Sequence, residues 1–272
     1  MEYVTVQDAE IPALGLGTWK LRGQECREAV TTALELGYRH LDTAAYYGNQ
    51  REIGEAIADS SIDREELFVT TKVRGSNLAR EDVKDSFADS REALGLDIVD
   101  LLLIHWPSRS VPIAETIGAM NDLQREGHLR DIGVSNFSIS QLEEAMVASE
   151  TPLLTNQVEY HPFCDRGDLL AFCIDHEVML TAYSQFDQGA SRVIENDTLA
   201  EMGAKYDKSP AQVALRWLAQ QKVVSAIPKA TSSEHLAANL AIFDFELSDE
   251  EMAQIFDLQG GVVDQVRSAL GL

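Results

Sequence analysis

The sequence is short of cysteine, lysine and long apolar runs, and each shortage excludes something. Three cysteines, Cys26, Cys164 and Cys173, in 272 residues are too few, and odd in number, for a disulfide frame. They read as buried, reduced thiols in a cytoplasm. No run of about 18 apolar residues is present, which argues against a membrane span. The opening Met1-Glu2-Tyr3-Val4 lacks the basic and apolar regions of a signal peptide. No Gly/Ser linker, low-complexity tract or abrupt shift of composition divides the chain, so residues 1–272 are expected to form one domain. Basic residues number 22 against 45 acidic, a formal charge of −23. That charge repels a phosphate backbone and argues against free nucleic acid as a partner.

Only seven of the basic residues are lysines, and the acidic excess runs along the whole chain. A dispersed acidic surface stays hydrated in concentrated salt, where screening removes its self-repulsion. The composition therefore reads as that of a protein from a salt-adapted, halophilic host. At 45 % hydrophobic and 25 % charged, the chain is otherwise ordinary for a globular enzyme and long enough to bury a large core.

Short β-branched or leucine-rich runs alternate with amphipathic stretches. The runs are Leu14–Trp19, Tyr38–Thr43, Leu67–Lys72, Asp100–His105, Arg130–Ser135, Leu153–Gln157, Val178–Tyr183 and Val223–Ile227. Their spacing is mostly that of one βα unit. Between them, Cys26, Val30, Ala33 and Leu34 fall at helical spacing, with Gly37 as a C-terminal cap. Ser209-Pro210-Ala211-Gln212 and Ser248-Asp249-Glu250-Glu251 read as capping boxes, and Ser138 as a helix cap. Eight strands alternating with helices predict an α/β fold, a (β/α)8 TIM barrel, with Tyr3–Glu10 as an N-terminal β-hairpin. A doubly wound open sheet is the runner-up. Its Gly-rich fingerprint is missing, because Gly15-Leu16-Gly17 continues as Thr-Trp-Lys without a third glycine.

In a barrel, chemistry sits at the C-terminal ends of the strands. Those ends here carry Asp42, Lys72, His105, Ser135-Asn136, Gln157, Tyr183 and Lys229, with Tyr46 and Tyr47 just beyond Asp42. Singly, each has a bland reading. A lone Lys is commonly exposed, a lone His after an apolar run is commonly a core histidine, and Ser135-Asn136 alone could cap a helix. Spacing does not choose between Tyr46 and Tyr47. Together they describe a device for delivering a proton to a carbonyl. At about 4 Å and an effective dielectric near 20, a Lys ammonium stabilises a phenolate by roughly 4 kcal/mol, about three pKa units. This predicts a Tyr pKa brought down from about 10 toward the range of a general acid. A carboxylate holds the ammonium, and the His orients the carbonyl oxygen. The set contains no His/Cys cluster for a metal, and no Gly-x-Ser-x-Gly elbow accompanies it.

From Pro12 to Leu247 the chain resembles the aldo-keto reductase superfamily. The resemblance rests on Leu14-Gly15-Leu16-Gly17-Thr18-Trp19, Tyr38-Arg39-His40-Leu41-Asp42-Thr43-Ala44, Tyr47-Gly48-Asn49 and Leu102-Leu103-Ile104-His105-Trp106-Pro107. Ile132-Gly133-Val134-Ser135-Asn136-Phe137, Asn156-Gln157-Val158-Glu159-Tyr160-His161-Pro162 and Ile227-Pro228-Lys229 complete it. It implies a tetrad of Asp42, Tyr47, Lys72 and His105, with Tyr47 as proton donor. Ser135, Asn136 and Gln157 match residues that hold a nicotinamide carboxamide. Tyr183 matches a ring that stacks on the nicotinamide, and Lys229, His235 and Asn239 match positions at the adenosine end. Trp19, Tyr46 and Trp106 would line the substrate pocket. The resemblance is to the short prokaryotic members, similar to the diketogluconate and methylglyoxal reductases. It implies a small-molecule carbonyl substrate, a monomer and a cytoplasmic setting.

Two departures stand out. Where NADP-preferring members usually carry an Arg, this chain has His235, and the usual Ser after the matched Lys is Ala230. These weaken the hold on a 2′-phosphate and open the site to NAD(H), while Lys229 and the following helix N-terminus keep the balance toward NADP(H). The usual Pro-Leu-Gly after Tyr183-Ser184 is Gln185-Phe186-Asp187, so closure over the cofactor is expected to differ. The tail after Phe256 is short, which implies an open pocket and broad specificity. Two other functions fit parts of the same pattern. Some superfamily members serve as cofactor-binding, redox-sensing channel subunits with little turnover. An isomerase or aldolase would use Lys72 as a Schiff base, but a Lys held by Asp42 is poorly nucleophilic.

Overall fold

The computed structural model describes residues 1–184 and 190–260. The departure at 185–187 and the tail beyond 260 lie outside the described residues. The chain forms two compact units. The first comprises Gly15–Gln157 and Lys229–Ser233; the second comprises Met1–Leu14, Val158–Pro228 and the residues from Glu234 on.

Strands β1 (Tyr3–Val6) and β2 (Ala9–Pro12) belong to the second unit and pair as an antiparallel hairpin, from Tyr3–Pro12 to Val6–Ala9. The hairpin runs two residues further than the sequence pattern predicts. In the first unit follow β3 (Leu16–Gly17), β4 (His40–Asp42), β5 (Phe68–Val73), β6 (Val99–Ile104) and β7 (Leu129–Ser135). Next comes β8 (Thr155–Glu159), then β9 (Met179–Tyr183) and β10 (Val224–Ala226) in the second unit. From β3 to β10 the strands succeed one another in chain order in one parallel sheet, and Leu14 bridges to Ala226 in parallel. This is the topology of a (β/α)8 barrel.

The local physics follows the sequence. Strand β6 is buried along its whole length and is apolar but for Asp100; β5 is buried after its first residue, with the β-branched Val69, Thr70 and Thr71 leading to Lys72. The helix Gly23–Leu36 buries Cys26, Ala29, Val30, Ala33 and Leu34. It ends at Gly37, whose φ of 106° is open to glycine at no steric cost. Reciprocal capping boxes start three helices, at Ser138 with Gln141, Ser209 with Gln212, and Ser248 with Glu251. The buried Asp100 at the start of β6 ties its neighbours together. It accepts from the Val69 N–H at 2.8 Å and Arg64 at 2.6 Å, and pairs with Arg130 at 3.0 Å. Among the described residues no helix is long and apolar enough to cross a membrane.

Close packing sets one sharp limit. In the helix Gln50–Asp59, a Cβ at Gly54 would lie 2.4 Å from the Leu94 carbonyl oxygen at the end of the helix Arg80–Leu94. Gly54→Ala gains about 1 kcal/mol of helix propensity but overpacks against rigid backbone, at a cost of about 1–3 kcal/mol. The expected outcome is a lower urea midpoint with unchanged slope. A midpoint equal to or above that of the parent would show that the two helices can separate freely.

Candidate active site

The parallel strands deliver the polar residues to one end of the first unit. Asp42 is the last residue of β4, Lys72 the penultimate residue of β5, and His105 follows β6 directly. Tyr47 arrives differently. After β4 the chain makes a single 3-10 turn, Ala45–Tyr47, released by Gly48 at φ 63°. The buried Asn49 pins this turn. Its amide donates to the Thr18 and Leu21 carbonyls at 2.9 and 3.2 Å, and its oxygen accepts from the Thr43 hydroxyl at 2.8 Å. Gln50 donates to the Thr71 hydroxyl at 2.7 Å, and the Arg22 guanidinium donates to the Tyr47 carbonyl. Asn49, Gln50 and Arg22 were not among the residues singled out from the sequence as site residues. Asn49 stood in view in the Tyr47-Gly48-Asn49 motif, but its partners lie far off in sequence.

Lys72 is 1 % exposed, and all three of its N–H bonds are committed. It donates to Asp42 Oδ1, to the Thr43 carbonyl at 3.0 Å and to the Tyr47 hydroxyl at 3.4 Å. The second Asp42 oxygen accepts from Gln157 Nε2 at 2.7 Å. Burial pulls the Lys72 pKa down, but Asp42 and Tyr47 more than offset it and hold it above the ordinary lysine value. A charged ammonium with every proton placed is a poor Schiff-base nucleophile.

One expectation is corrected here. From the sequence, the Lys72 charge predicts a tyrosine pKa below its usual value. Burial is the larger effect on Tyr47 and raises its pKa; Lys72 lowers it in part and Asp42 raises it again, leaving it above the ordinary value. The spacing of charges in the sequence speaks for the Coulomb attraction but not for the desolvation that accompanies it. Tyr47 therefore holds its proton across the neutral range, and Lys72 counteracts a burial that would otherwise make the phenolate still less accessible.

The His105 ring meets the Tyr47 ring edge-on, with centroids 5.7 Å apart. Burial, aided by the Lys72 charge, lowers its pKa to about 4, so the imidazole is neutral at physiological pH. Its carbonyl accepts from Asn136 Nδ2 at 3.1 Å. Asn136 also donates to the Ser135 hydroxyl at 3.0 Å, and its backbone sits at φ 64° in the left-handed region. Ser135 Oγ and the Asn136 N–H both donate to the Gln157 carbonyl, at 2.8 and 2.9 Å. Ser135, Asn136, Gln157 and the Asp42–Lys72 pair thus form one hydrogen-bonded set.

Trp19 stacks on Tyr46 with centroids 5.7 Å apart and packs against Tyr47 at 4.8 Å. Trp19, Tyr46 and Trp106 are 38, 50 and 54 % exposed, too open to be core packing. The difference between the two tyrosines is plain: Tyr47 is 8 % exposed and reaches Lys72, while Tyr46 faces outward. Lys229 is exposed and belongs to the first unit, followed by the buried Ala230. The second unit holds the other three predicted residues. Tyr183 ends β9, half-buried; His235 is exposed and Asn239 buried on the helix Ser233–Leu240.

Residues 13–259 match the Aldo/keto reductase family. The chain belongs to that family. It is 42 % identical over 250 residues to the 9,11-endoperoxide prostaglandin H2 reductase of Trypanosoma cruzi (strain CL Brener), covering 91 % of this chain and 88 % of that protein. It is 41 % identical over 247 residues to the glyoxal reductase of Bacillus subtilis (strain 168), covering 90 % and 88 %. The crystal structure of MGS-M4, an aldo-keto reductase enzyme from a Medee basin deep-sea metagenome library, superposes with a TM-score of 0.90. That chain is 38 % identical, and the match covers 94 % of each. This aldo/keto reductase is an oxidoreductase that reduces carbonyl groups with a nicotinamide cofactor. The donor set fits such a group: Ser135, Asn136 and Gln157 offer a hydroxyl and two primary amides at adjoining strand ends, the complement of a carboxamide.

The pH behaviour follows from His105. The unfolded chain protonates this residue near pH 6.5 and the folded chain only near 4, so folded-state stability falls as pH drops through that window. With Tyr47 raised above its usual value, kcat/KM for a neutral aldehyde is expected to stay level from about pH 5 to 9. Initial rates across that range check this. An inflection near 6.5 that disappears in His105→Gln would show an ordinary, solvated histidine.

Proposed function

We propose that Tyr47 gives its phenolic proton to the carbonyl oxygen of the substrate while neutral His105 orients that oxygen. The observation that carries this reading is the three-way commitment of Lys72 to Asp42, Thr43 and Tyr47 beside the edge of the His105 ring. The bound nicotinamide cofactor supplies the hydride. As negative charge develops on the Tyr47 oxygen, the Lys72 N–H already aimed at it becomes a charge-assisted hydrogen bond. Asp42, held in turn by Gln157, keeps the ammonium charged and fixed.

Ser135, Asn136 and Gln157 would hold the carboxamide, Tyr183 would stack on the ring, and Lys229, His235 and Asn239 would serve the adenosine end. Lys229 favours NADP(H). His235 in place of an arginine leaves NAD(H) usable. Trp19, Tyr46 and Trp106 would form an aromatic wall for small aldehydes and ketones. We read the chain as one barrel domain over residues 1–272, acting as a monomer in the cytoplasm of a salt-adapted host. The three free thiols fit a reducing compartment, and the charge of −23 fits concentrated salt.

Tyr47→Phe is expected to lose at least two orders of magnitude in kcat with cofactor Kd within a few-fold, as general-acid removal predicts. Near-normal turnover in the variant would remove Tyr47 from its role. A folded parent that binds cofactor and turns over no carbonyl would move the reading to a redox-sensing subunit.

His235→Arg is expected to tighten NADPH more than NADH. One charge-assisted hydrogen bond to the 2′-phosphate is worth about 1.5–3 kcal/mol, roughly 10- to 150-fold in Kd. Equal effects on both cofactors, measured by fluorescence titration, would overturn the placement of residue 235.

A further inference from the structure

In the first unit the two ends of the parallel strands carry opposite charge. The segments that leave β3 to β7 for the next helix are residues 18–22, 43–49, 74–79, 105–112 and 136–138. They contain no Asp or Glu, and they contain Lys20, Arg22, Arg74 and Arg109. The segments that enter β4 to β8 at the other end are residues 37–39, 60–67, 95–98, 126–128 and 149–154. These carry Asp63, Glu65, Glu66, Asp97, Glu126 and Glu150 against Arg39 and Arg64. In a chain with 45 acidic residues among 272, the connecting segments at one end of these strands have none, and the one carboxylate at the strand ends there, Asp42, is buried and held by Lys72; this is the end that bears Tyr47.

Three of the cations at that end stand apart from the ion pairs that engage most cations of this unit. Elsewhere in this unit Arg27, Arg39, Arg64, Arg80, Lys84, Arg125 and Arg130 each lie at ion-pair distance from a carboxylate, while among the described residues Arg51 and Arg91 do not. Among the described residues Arg22, Arg74 and Arg109 form no such pair. Arg74 is placed most tellingly. Its guanidinium lies over the Tyr46 ring, 4.7 Å from the centroid. Tyr46 stacks on Trp19, and Trp19 packs on Tyr47. The Tyr46 ring holds the guanidinium in place, and its N–H groups make no hydrogen bond or ion pair among the described residues, which leaves them for an acceptor such as a carboxylate.

We propose that the preferred substrates are carbonyl compounds bearing a carboxylate, and that Arg74 receives that carboxylate. The inference rests on the reductase reading above and names its substrate class. Arg74, one aromatic stack removed from Tyr47, sets the carboxylate end while the carbonyl lies at the phenol, and Trp19 and Tyr46 cover the length between. Lys20, Arg22 and Arg109 add attraction over distance. That part is screened beyond about 10 Å at 0.1 M salt and about 3 Å at 1 M, while the Arg74 contact persists.

Two aldehydes that differ chiefly in charge test it: 4-formylbenzoate and its methyl ester, compared by kcat/KM at saturating cofactor. At 0.1 M KCl the carboxylate is expected to be favoured about tenfold, the size of one charge-assisted contact. The preference should shrink but survive in 2 M KCl. Arg74→Gln should abolish it through KM for the carboxylate, and Arg74→Lys should restore part of it. Equal kcat/KM for the two aldehydes, or a preference that Arg74→Gln leaves unmoved, overturns the proposal while leaving the reductase reading intact. A rise in cofactor KM in Arg74→Gln with the substrate ratio unchanged also overturns it, by giving the cationic end to the cofactor. No turnover of either aldehyde fails the reductase reading, and the proposal with it.

Discussion

The buried pair of Lys72 and Asp42 is the constraint on which the site depends. Taking two ions out of water costs several kcal/mol each, and their attraction offsets this only when the remaining protons and lone pairs are also satisfied. Here they are. The ammonium has Asp42, Thr43 and Tyr47, and the carboxylate has Lys72 and Gln157. Such an arrangement needs strand ends that point the same way in fixed register. The pairings Asp42–Thr70 and Lys72–Leu103 align β4, β5 and β6, and Ser135–Gln157 aligns β7 and β8. A parallel sheet supplies this by construction. A shift of one residue in β5 would turn Lys72 to the opposite face of the strand and leave Asp42 unpaired.

The same pair decides what Tyr47 can be. A proton donor must hold its proton until negative charge appears on the acceptor. Burial ensures that by raising the tyrosine pKa, and the Lys72 ammonium limits how far it rises. Lys72 therefore contributes most when the phenolate forms. That is differential stabilisation of a later state over an earlier one, the condition for acceleration. His105 completes the logic from the other side, because a neutral ring can offer a hydrogen bond without adding a second cation beside Lys72.

Much of this was legible in the sequence, and the reason is physical. Parallel strands are buried on both faces, so they stand out as apolar runs, and the first polar residue after each run marks a strand end. Lys72 and His105 each follow an apolar or β-branched run, and Asp42 closes the shorter Tyr38–Leu41 stretch; the expected strand ends lie within a residue or two of the observed boundaries. Tyr46 and Tyr47 could not be separated by spacing. They follow one another in a 3-10 turn, and only the fold shows that Tyr47 reaches Lys72 while Tyr46 is half exposed. Asn49 and Gln50 escaped as clamps because their partners, Thr18, Leu21 and Thr71, lie 21 to 31 residues away. The direction of the Tyr47 shift escaped because a Coulomb attraction can be estimated for an assumed spacing, whereas desolvation depends on what packs around the group.

Charge shows the same divide between sequence order and fold. Along the chain the acidic residues look evenly dispersed, because each segment without them is followed by a helix that carries several. The fold sorts these segments, placing one kind at the reactive end of the first unit and the other kind opposite. This sorting bears on how a protein with a net charge of −23 would receive an anionic ligand. In dilute salt such a charge would repel an anionic partner at long range unless the local potential were reversed. In molar salt the long-range part is gone within about 3 Å, so neither the repulsion nor the steering survives. Selectivity under those conditions has to come from groups that touch the ligand. A guanidinium held over an aromatic ring, with N–H groups still unengaged, is such a group, which is why Arg74 weighs more than the number of charges around it.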